Sequence, residues 1–546
     1  MTERHEVGPR SQHIVAQERR HVAPGSQSFA LMAGLAMARG TGSTLIDEDG
    51  NEYIDFIAGI AVGSVGHCHP HYVEALKRQV ERLTFGSFTT ETRAKFLELL
   101  ASVTPAGLTR IQMFSGGAEA VEAALRLAKA ATGKAEVVGF WGGFHGKTGG
   151  VLGLVGSEFK HHLGPFTPGR YLSPYADCYR CPLKLRYPDC GIACAEFVRD
   201  VIRYQTAGEV GAIIVEPVQG TAGNVVPPEG FVRAVQAIAR EHGALLIVDE
   251  MLTGFGRTGA MWAAEHDGVV PDIMTVGKGM GGGFPLSGVI STDAITASKP
   301  WSNPSASSSS YGGNPLAAAA GLAALEIILK EDLVTNAERV GKVMLTRLEA
   351  LKEKYRCVGE VRGRGLMLGI ELVRDRTSKE PLPKTVTQAL YQECLRRGLV
   401  AMTYSPSIRI NPPLVIREEQ ALAGLAILDE ALDAVVREHG SGPRSRRTCL
   451  ARAGTTRPKS SWPTPVWTSW TSRRRRPVTR RSSGARSSGA STSSARSRWS
   501  TRSTISARCE PWRAGWDASC TRSTTGITPR SSGGRRRSSA RARSGA

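Results

Sequence analysis

The chain reads as an α/β protein: a large domain built on an open, mostly parallel sheet, joined to a smaller α+β domain to which both chain ends contribute. Three observations lead there. The runs at residues 244–248 and 272–276 are apolar toward their ends and lead directly into polar groups, as buried parallel strands do when they deliver side chains to a sheet edge. Ala-rich stretches with helical spacing lie between the strand-like runs, AVEAALRLAKAATG at 120–133 being one. Beyond residue 330, amphipathic helical patterns and short strands alternate in a set of their own. The expected division is an N-terminal arm with part of the small domain at 1–94, the large domain at 95–330, the C-terminal small domain at 331–440 and a basic tail at 441–546.

Charge is unevenly placed along the 546 residues. The net charge is +21, yet residues 441–546 hold 25 Lys and Arg against 2 Asp and Glu, leaving 45 basic and 47 acidic residues in 1–440. The basicity therefore belongs to the tail, and a nucleic-acid function for the body is not expected. Six of the nine tryptophans also fall in that tail, among Ser, Arg, Gly and Thr, with no helical or strand period. One reading is a disordered nucleic-acid-binding arm, densest at the four arginines of 473–476. The preferred one is a shifted reading frame in GC-rich coding DNA; an intact frame on resequencing near codon 440 would remove it. Ten cysteines over this length do not form a disulfide scaffold, and the polar N-terminus lacks the apolar core of a secretory signal, so a cytoplasmic protein is expected.

In chain order, residues 1–27 read as a lead-in arm. GTGSTLIDEDGNEYIDF at 40–56 alternates like two short strands around a turn at 48–51. His67, Cys68, His69 and His71 fit no common metal-ligand spacing, and Pro70 opens a helix, so these residues line a loop. IQMF reaches a strand end, after which SGGAE at 115–119 starts a helix. Small residues there leave backbone N–H groups free for an anion, with Gly117 and Ala118 as the donors. A further strand, EVVGFW, runs into GGFHGKT at 142–148. Cys178, Cys181, Cys190 and Cys194 sit in an insertion-like stretch around 171–195; their CxxC and CxxxC spacing could ligate zinc, but the reading adopted is a loop of reduced thiols with no metal. GAIIVEPVQG at 211–220 is another buried strand, ending near Glu216 and Gln219.

The chemistry concentrates between residues 244 and 288. Asp249 and Glu250 close one strand. Lys278 stands just past the next, between Gly277 and Gly279, where a ligand can approach the backbone. A lysine beside a carboxylate at the crevice of an open sheet suits a Schiff-base enzyme: the lysine supplies the amine, and the carboxylate keeps the pyridine nitrogen of pyridoxal 5'-phosphate protonated. Gly277, Gly279 and Gly282 also match a dinucleotide-type GxGxxG, but Gly283, Phe284 and Pro285 follow and no helix opens to receive a pyrophosphate. An aromatic at a strand end can stack on the cofactor ring, and Phe144 is placed for it, with His145 adjacent.

DEMLTGFGRTG at 249–259, followed by VGKGMGGGFP at 276–285, resembles the class III aminotransferases of the fold type I pyridoxal-phosphate enzymes, over roughly residues 25–435. The resemblance implies a large domain with a seven-stranded type of sheet, Lys278 and Asp249 as catalytic residues, and a homodimer whose active sites are shared. It implies that Ser310, where threonine is usual, reaches the cofactor phosphate of the neighbouring subunit, and that Phe85 and the glycine-rich loop before it lie near the substrate. Glu216 would cover a substrate-binding arginine, Arg409, when the donor lacks an α-carboxylate, and release it to a 2-oxo acid. Lys147 stands where 4-aminobutyrate aminotransferases often carry arginine; it keeps the charge without the bidentate fork. Gly116 lacks the usual hydroxyl, Met251 replaces a valine that packs on the ring, and Leu252 replaces a glutamine that bonds the ring hydroxyl, making Gln219 a candidate substitute.

The implied reaction moves an amino group from an ω-amino acid of the 4-aminobutyrate type, or another amine, to 2-oxoglutarate or pyruvate by a ping-pong mechanism. The rival is an amino-acid racemase of the same fold, which needs the same lysine and aspartate.

Overall fold

The computed structural model describes residues 4–439, and the expectations for the basic tail, nucleic-acid arm or shifted frame, lie outside them. Three strands come first: β1 (Met37–Thr41), β2 (Thr44–Asp47) and β3 (Glu52–Asp55). Seven follow: β4 (Arg110–Phe114), β5 (Glu136–Phe140), β6 (Arg170–Ser173), β7 (Val210–Val215), β8 (Leu245–Asp249), β9 (Ile273–Val276) and β10 (Ser287–Ser291). The last four are β11 (Val358–Arg364), β12 (Met367–Leu372), β13 (Leu399–Val400) and β14 (Ser407–Ile410).

Strands β4 to β10 form one sheet in the order β4-β10-β9-β8-β7-β5-β6. It is parallel except at β10, which runs antiparallel to both β4 and β9. Every residue of β5, β7, β9 and β10 is buried, which is why these runs carry no polar alternation. The faces still separate with period two. Ile213 and Val215 of β7 pack with Leu246 and Val248 under the helices Ala193–Gln205 and Phe231–Glu241. Ala212 and Ile214 pack with Ile247 and Ile273 against the helix Gly117–Thr132. Each fully buried Val, Leu or Ile among them contributes about 1.5–3 kcal/mol.

The other strands make a sheet of β1-β2-β3-β13 and one of β11-β12-β14. Because β13 pairs in parallel with β3, Leu399 opposite Ile54, the two chain ends share a sheet, as expected for the smaller α+β part. One apolar cluster runs from Phe56 and Phe96 through Met274 and the helix Pro315–Lys330 to the helix Glu418–His439, so the C-terminal elements pack on the large sheet's own core. Local signals set the ends of these elements. Pro70 starts the helix Pro70–Val80. Asn314 caps the helix Pro315–Lys330 by accepting from Ala317 N, and Gly133 closes the helix Gly117–Thr132 at φ 73°.

The N-terminal arm is not structureless: Pro9–Glu18 is a helix, its start held where Asp49 accepts from Arg10 N and Ser11 N, both at 3.0 Å. Strand β1 was likewise not expected. No helix among the described residues is long and apolar enough to cross a membrane.

Candidate active site

Six strands of the large sheet, β4, β9, β8, β7, β5 and β6, end at one edge, the crevice at which open α/β sheets bind ligands. Polar groups stand at or just past these strand ends. Asp249 closes β8 and is 3% exposed. Its Oδ1 accepts from Met251 N and from Thr275 Oγ1 of β9, both at 3.0 Å, and its Oδ2 from His145 Nδ1 at 2.6 Å. His145, just past β5, is 4% exposed. Burial opposes the imidazole's charge, but the bond to Asp249 and that carboxylate's charge, with Glu216 behind it, outweigh burial and raise its proton affinity. Asp249 is the reciprocal case. Burial alone would favour the neutral acid, yet the His145 bond and charge, with Lys278, hold the carboxyl below its usual range.

Lys278 follows β9 in the left-handed region at φ 43°, a backbone conformation that costs a non-glycine residue about 1–3 kcal/mol. The side chain is partly accessible. Its surroundings push the amine's proton affinity down, chiefly by desolvation; Asp249 and Glu216 pull the other way without prevailing, and Arg409 adds to the lowering. A lysine so placed is closer to the free-base form a nucleophilic amine needs. Asp249, Glu216 and Arg409 are thus within electrostatic reach of Lys278.

Glu216, one residue past β7, takes Phe144 N–H on Oε1 at 2.8 Å and Gly220 N–H on Oε2 at 3.2 Å. Burial raises its pKa, partly offset by His145. Glu216 and Arg409 form no ion pair here; the attraction between them acts through space. Gln219 turns its amide to Trp141 O at 2.9 Å. Leu252 is buried against Ala61, Val218 and Met367. Phe144 is half-buried, its ring edge-on to Phe159 with centroids 5.9 Å apart, and the Lys147 ammonium lies 4.7 Å from the Phe159 centroid.

Past β4, Glu119 Oε2 accepts from Ser115 N at 3.0 Å and Gly116 N at 2.9 Å, so the N–H groups next in line at the helix start belong to Gly117 and Ala118. Met251 packs between this helix start and the lysine. A Cβ on Gly277 would fall 2.2 Å from Met251 Sδ, and one on Gly117 3.1 Å from it. A side chain at 277 would therefore have to displace the flexible Met251 side chain, a constraint separate from ligand approach. Phe85 is 75% exposed and Ser310 is exposed, so within one chain neither is gathered into the cluster. Thr275 and Trp141 were missed by sequence reasoning. Thr275 carried a signal as the polar residue inside the apolar run IMTV.

The histidines of 67–71 face carboxylates: His67 reaches Asp55 at 2.8 Å, His69 Glu331 at 2.8 Å and His71 Glu326 at 2.6 Å. Cys178, Cys181, Cys190 and Cys194 line one cavity with Tyr175, whose hydroxyl donates to Glu216 O at 2.9 Å. Burial, reinforced by the neighbouring thiols, pushes Cys178 and Cys194 up to about 11, the unreactive side of thiol chemistry. Among the described residues no group of three or more His, Cys, Asp or Glu stands in position to hold a metal ion.

A buried carboxylate–imidazole pair, a lysine of lowered proton affinity and a small-residue helix start at one sheet edge are the parts a pyridoxal-phosphate enzyme of the α/β class needs. The aminotransferase class-III family model matches residues 26–432, and the chain belongs to that family. It is 41% identical over 403 residues to an acetylornithine aminotransferase of Methanopyrus kandleri, spanning 73% of this chain and 95% of that protein. It is 37% identical over 392 residues to a leucine/methionine racemase of Thermococcus litoralis, spanning 71% and 88%. Among solved structures it is similar to a PLP-bound amine transaminase from an uncultivated Pseudomonas species, with a TM-score of 0.71 and 30% identity over 76% of this chain and 98% of that one.

The residues present fit the cofactor. Gly117 and Ala118 would offer N–H groups to its phosphate, Asp249 would be the buried anion for its ring nitrogen, and Lys278 the amine for its carbonyl carbon.

Proposed function

We propose that the enzyme takes the amino group of an ω-amino acid, of the 4-aminobutyrate type, and passes it to a 2-oxo acid such as 2-oxoglutarate or pyruvate in two half-reactions. The observation that carries this is the Asp249–His145 pair buried at 2.6 Å in the same electrostatic neighbourhood as Lys278. The bound cofactor supplies an electron sink for the donor carbon once its proton has gone. Lys278 Nζ is the base that removes that proton, and its lowered proton affinity suits the task. Asp249 keeps its negative charge because His145, Met251 N–H and Thr275 Oγ1 all donate to it. Arg409 offers its planar fork to the carboxylate of the incoming oxo acid. Glu216 has its oxygens on Phe144 and Gly220, which favours an accessible Arg409 in this state. Phe144, His145, Gln219 and the donors at Gly117 and Ala118 complete the cofactor site; Lys147 serves a distal carboxylate.

We assign the cofactor to the expected large domain, residues 95–330, and the carboxylate-binding Arg409 to the expected small domain, residues 331–440. We place Ser310 and Phe85 in the neighbouring active site of a homodimer. Phe85, Phe88 and Tyr311 are 75%, 88% and 73% exposed, a surface suited to a second copy. Cys68, Cys178, Cys181, Cys190, Cys194 and Cys394 are free thiols, which suits a reducing cytoplasm.

The test is the absorbance of the cofactor-loaded protein before and after 4-aminobutyrate is added without an oxo acid. Conversion of the cofactor band to that of the amine form is expected, and a band indifferent to every amine would overturn the reading. The racemase reading draws on the 37% identity to the leucine/methionine racemase. Chiral analysis of an amino acid incubated without any oxo acid decides it: inversion without loss of amine would favour the racemase.

A further inference from the structure

A buried charge network outside the catalytic cluster holds the strand that carries Arg409. Glu371 of β12 is 3% exposed. Its Oε1 accepts from Arg362 Nη2 at 2.8 Å and from Ser407 Oγ at 2.7 Å; its Oε2 accepts from Arg180 Nη2 at 3.2 Å and Nε at 3.3 Å. Ser407 stands opposite Glu371 in the β12–β14 ladder, two residues before Arg409 opposite Gly369. The other ends of both arginines lie elsewhere. Arg362 donates to Gly223 O at 2.7 Å and Asn224 O at 3.1 Å, in the turn that leaves Gln219 and closes on Val225. Arg180 belongs to the cysteine-bearing loop and also donates to Lys379 O at 2.7 Å.

One carboxylate therefore joins three segments: the cysteine loop, the turn that follows Glu216 and Gln219, and the Arg409 strand. The charges balance, since Arg362 Nη1 also reaches Glu360 Oε2 at 2.6 Å, giving two guanidiniums and two carboxylates. The packing allows little slack. Gly223 sits at φ 121°, and a Cβ there would fall 2.9 Å from both Arg362 Nη2 and Ser407 Cβ. Apolar side chains of similar volume would stabilise such a site about as well as buried ions do, so a fully bonded four-charge network is better suited to fixing register than to adding stability.

We propose that Glu371, with Arg362 and Arg180, positions Arg409 relative to Glu216 and so sets the preference for acceptors that carry a carboxylate. This rests on the reading of Arg409 as the carboxylate-binding arginine. It also gives the cysteine loop a part in the reaction, delivered through Arg180.

Steady-state kinetics of the holoenzyme with two acceptors, 2-oxoglutarate and butanal, which has no carboxylate, test it. Glu371→Gln should lower kcat/KM for the oxo acid about tenfold, mainly through KM, and Arg180→Ala about threefold, while butanal changes less than about twofold. Arg180→Lys should recover part of the loss. Arg180 is a third exposed, so Arg180→Ala carries the test if Glu371→Gln fails to fold. Parallel losses with both acceptors, or no change with either, overturn the positioning role. Arg409→Ala separates the two layers: an unchanged oxo-acid KM removes the reading of Arg409 itself, whereas a raised KM beside a silent Arg180→Ala removes the positioning alone.

Discussion

The Asp249 cluster at the edge of the seven-stranded sheet and the Glu371 network beside Arg409 both bury charge, and they hold it in different ways. Asp249 is fixed mostly by its own neighbourhood: the N–H of Met251, the Thr275 hydroxyl on the adjacent strand and one imidazole from the strand end at β5. Glu371 is held by side chains, from Arg362 nine residues away, Ser407 36 and Arg180 191. The first arrangement is rigid because parallel backbone ladders set it. The second can be retuned one side chain at a time. Reaction chemistry in this enzyme accordingly rests on the sheet, and acceptor choice on the network.

Four substitutions would break or sharpen that contrast. The largest effect is expected from Lys278→Ala, which should lower the rate of amine conversion by about 10⁴-fold or more, read by stopped-flow absorbance, because it removes the amine at the β9 strand end. Asp249→Asn should cost about 10²–10³-fold in the same half-reaction, the scale of losing one preorganised electrostatic partner. Arg409→Lys should raise KM for the oxo acid about tenfold and leave the amine half-reaction within about twofold, since a lysine keeps the charge and loses the fork.

The smallest effect concerns stability. The His145 pKa is raised in the fold, so its charged pairing with Asp249 contributes below the imidazole's unfolded value of about 6.5 and fades as pH rises through the folded value. His145→Gln keeps a neutral donor and should cost about 1 kcal/mol at pH 5–6, the difference between a charged and a neutral hydrogen bond, with less loss toward alkaline pH. Urea unfolding across that range reads it. A loss independent of pH would mean that His145 acts by packing alone.

The parts of this molecule legible in the sequence are those whose physics is local. The buried runs at β7, β8 and β9 had to be strands of a two-faced sheet, and the polar residues ending them had to meet at its edge. The strand-end positions of Lys278, Asp249 and Glu216 followed from that, while the roles expected of them rested on the resemblance to class III aminotransferases. The helix Pro9–Glu18 was not legible because its anchor is Asp49, well ahead in the chain. Gly277 looked like room for a ligand, and its neighbour proves to be the Met251 sulfur. Gln219 looked free to face a ligand and is turned to Trp141 O by a contact no spacing predicts. The Glu371 network left no sequence trace, since Arg180, Arg362, Glu371 and Ser407 follow no periodicity and meet only after the fold has formed.

The antiparallel strand β10 has a consequence for synthesis. β4, which leads into the helix start at Gly117, has β10 as its one partner in the sheet, and β10 begins at Ser287. A growing chain must therefore add about 170 residues after β4 before that edge can close, roughly 10–35 s at ordinary ribosomal rates. Until then the helix start at Gly117 and the strand end at Lys278 cannot share a sheet.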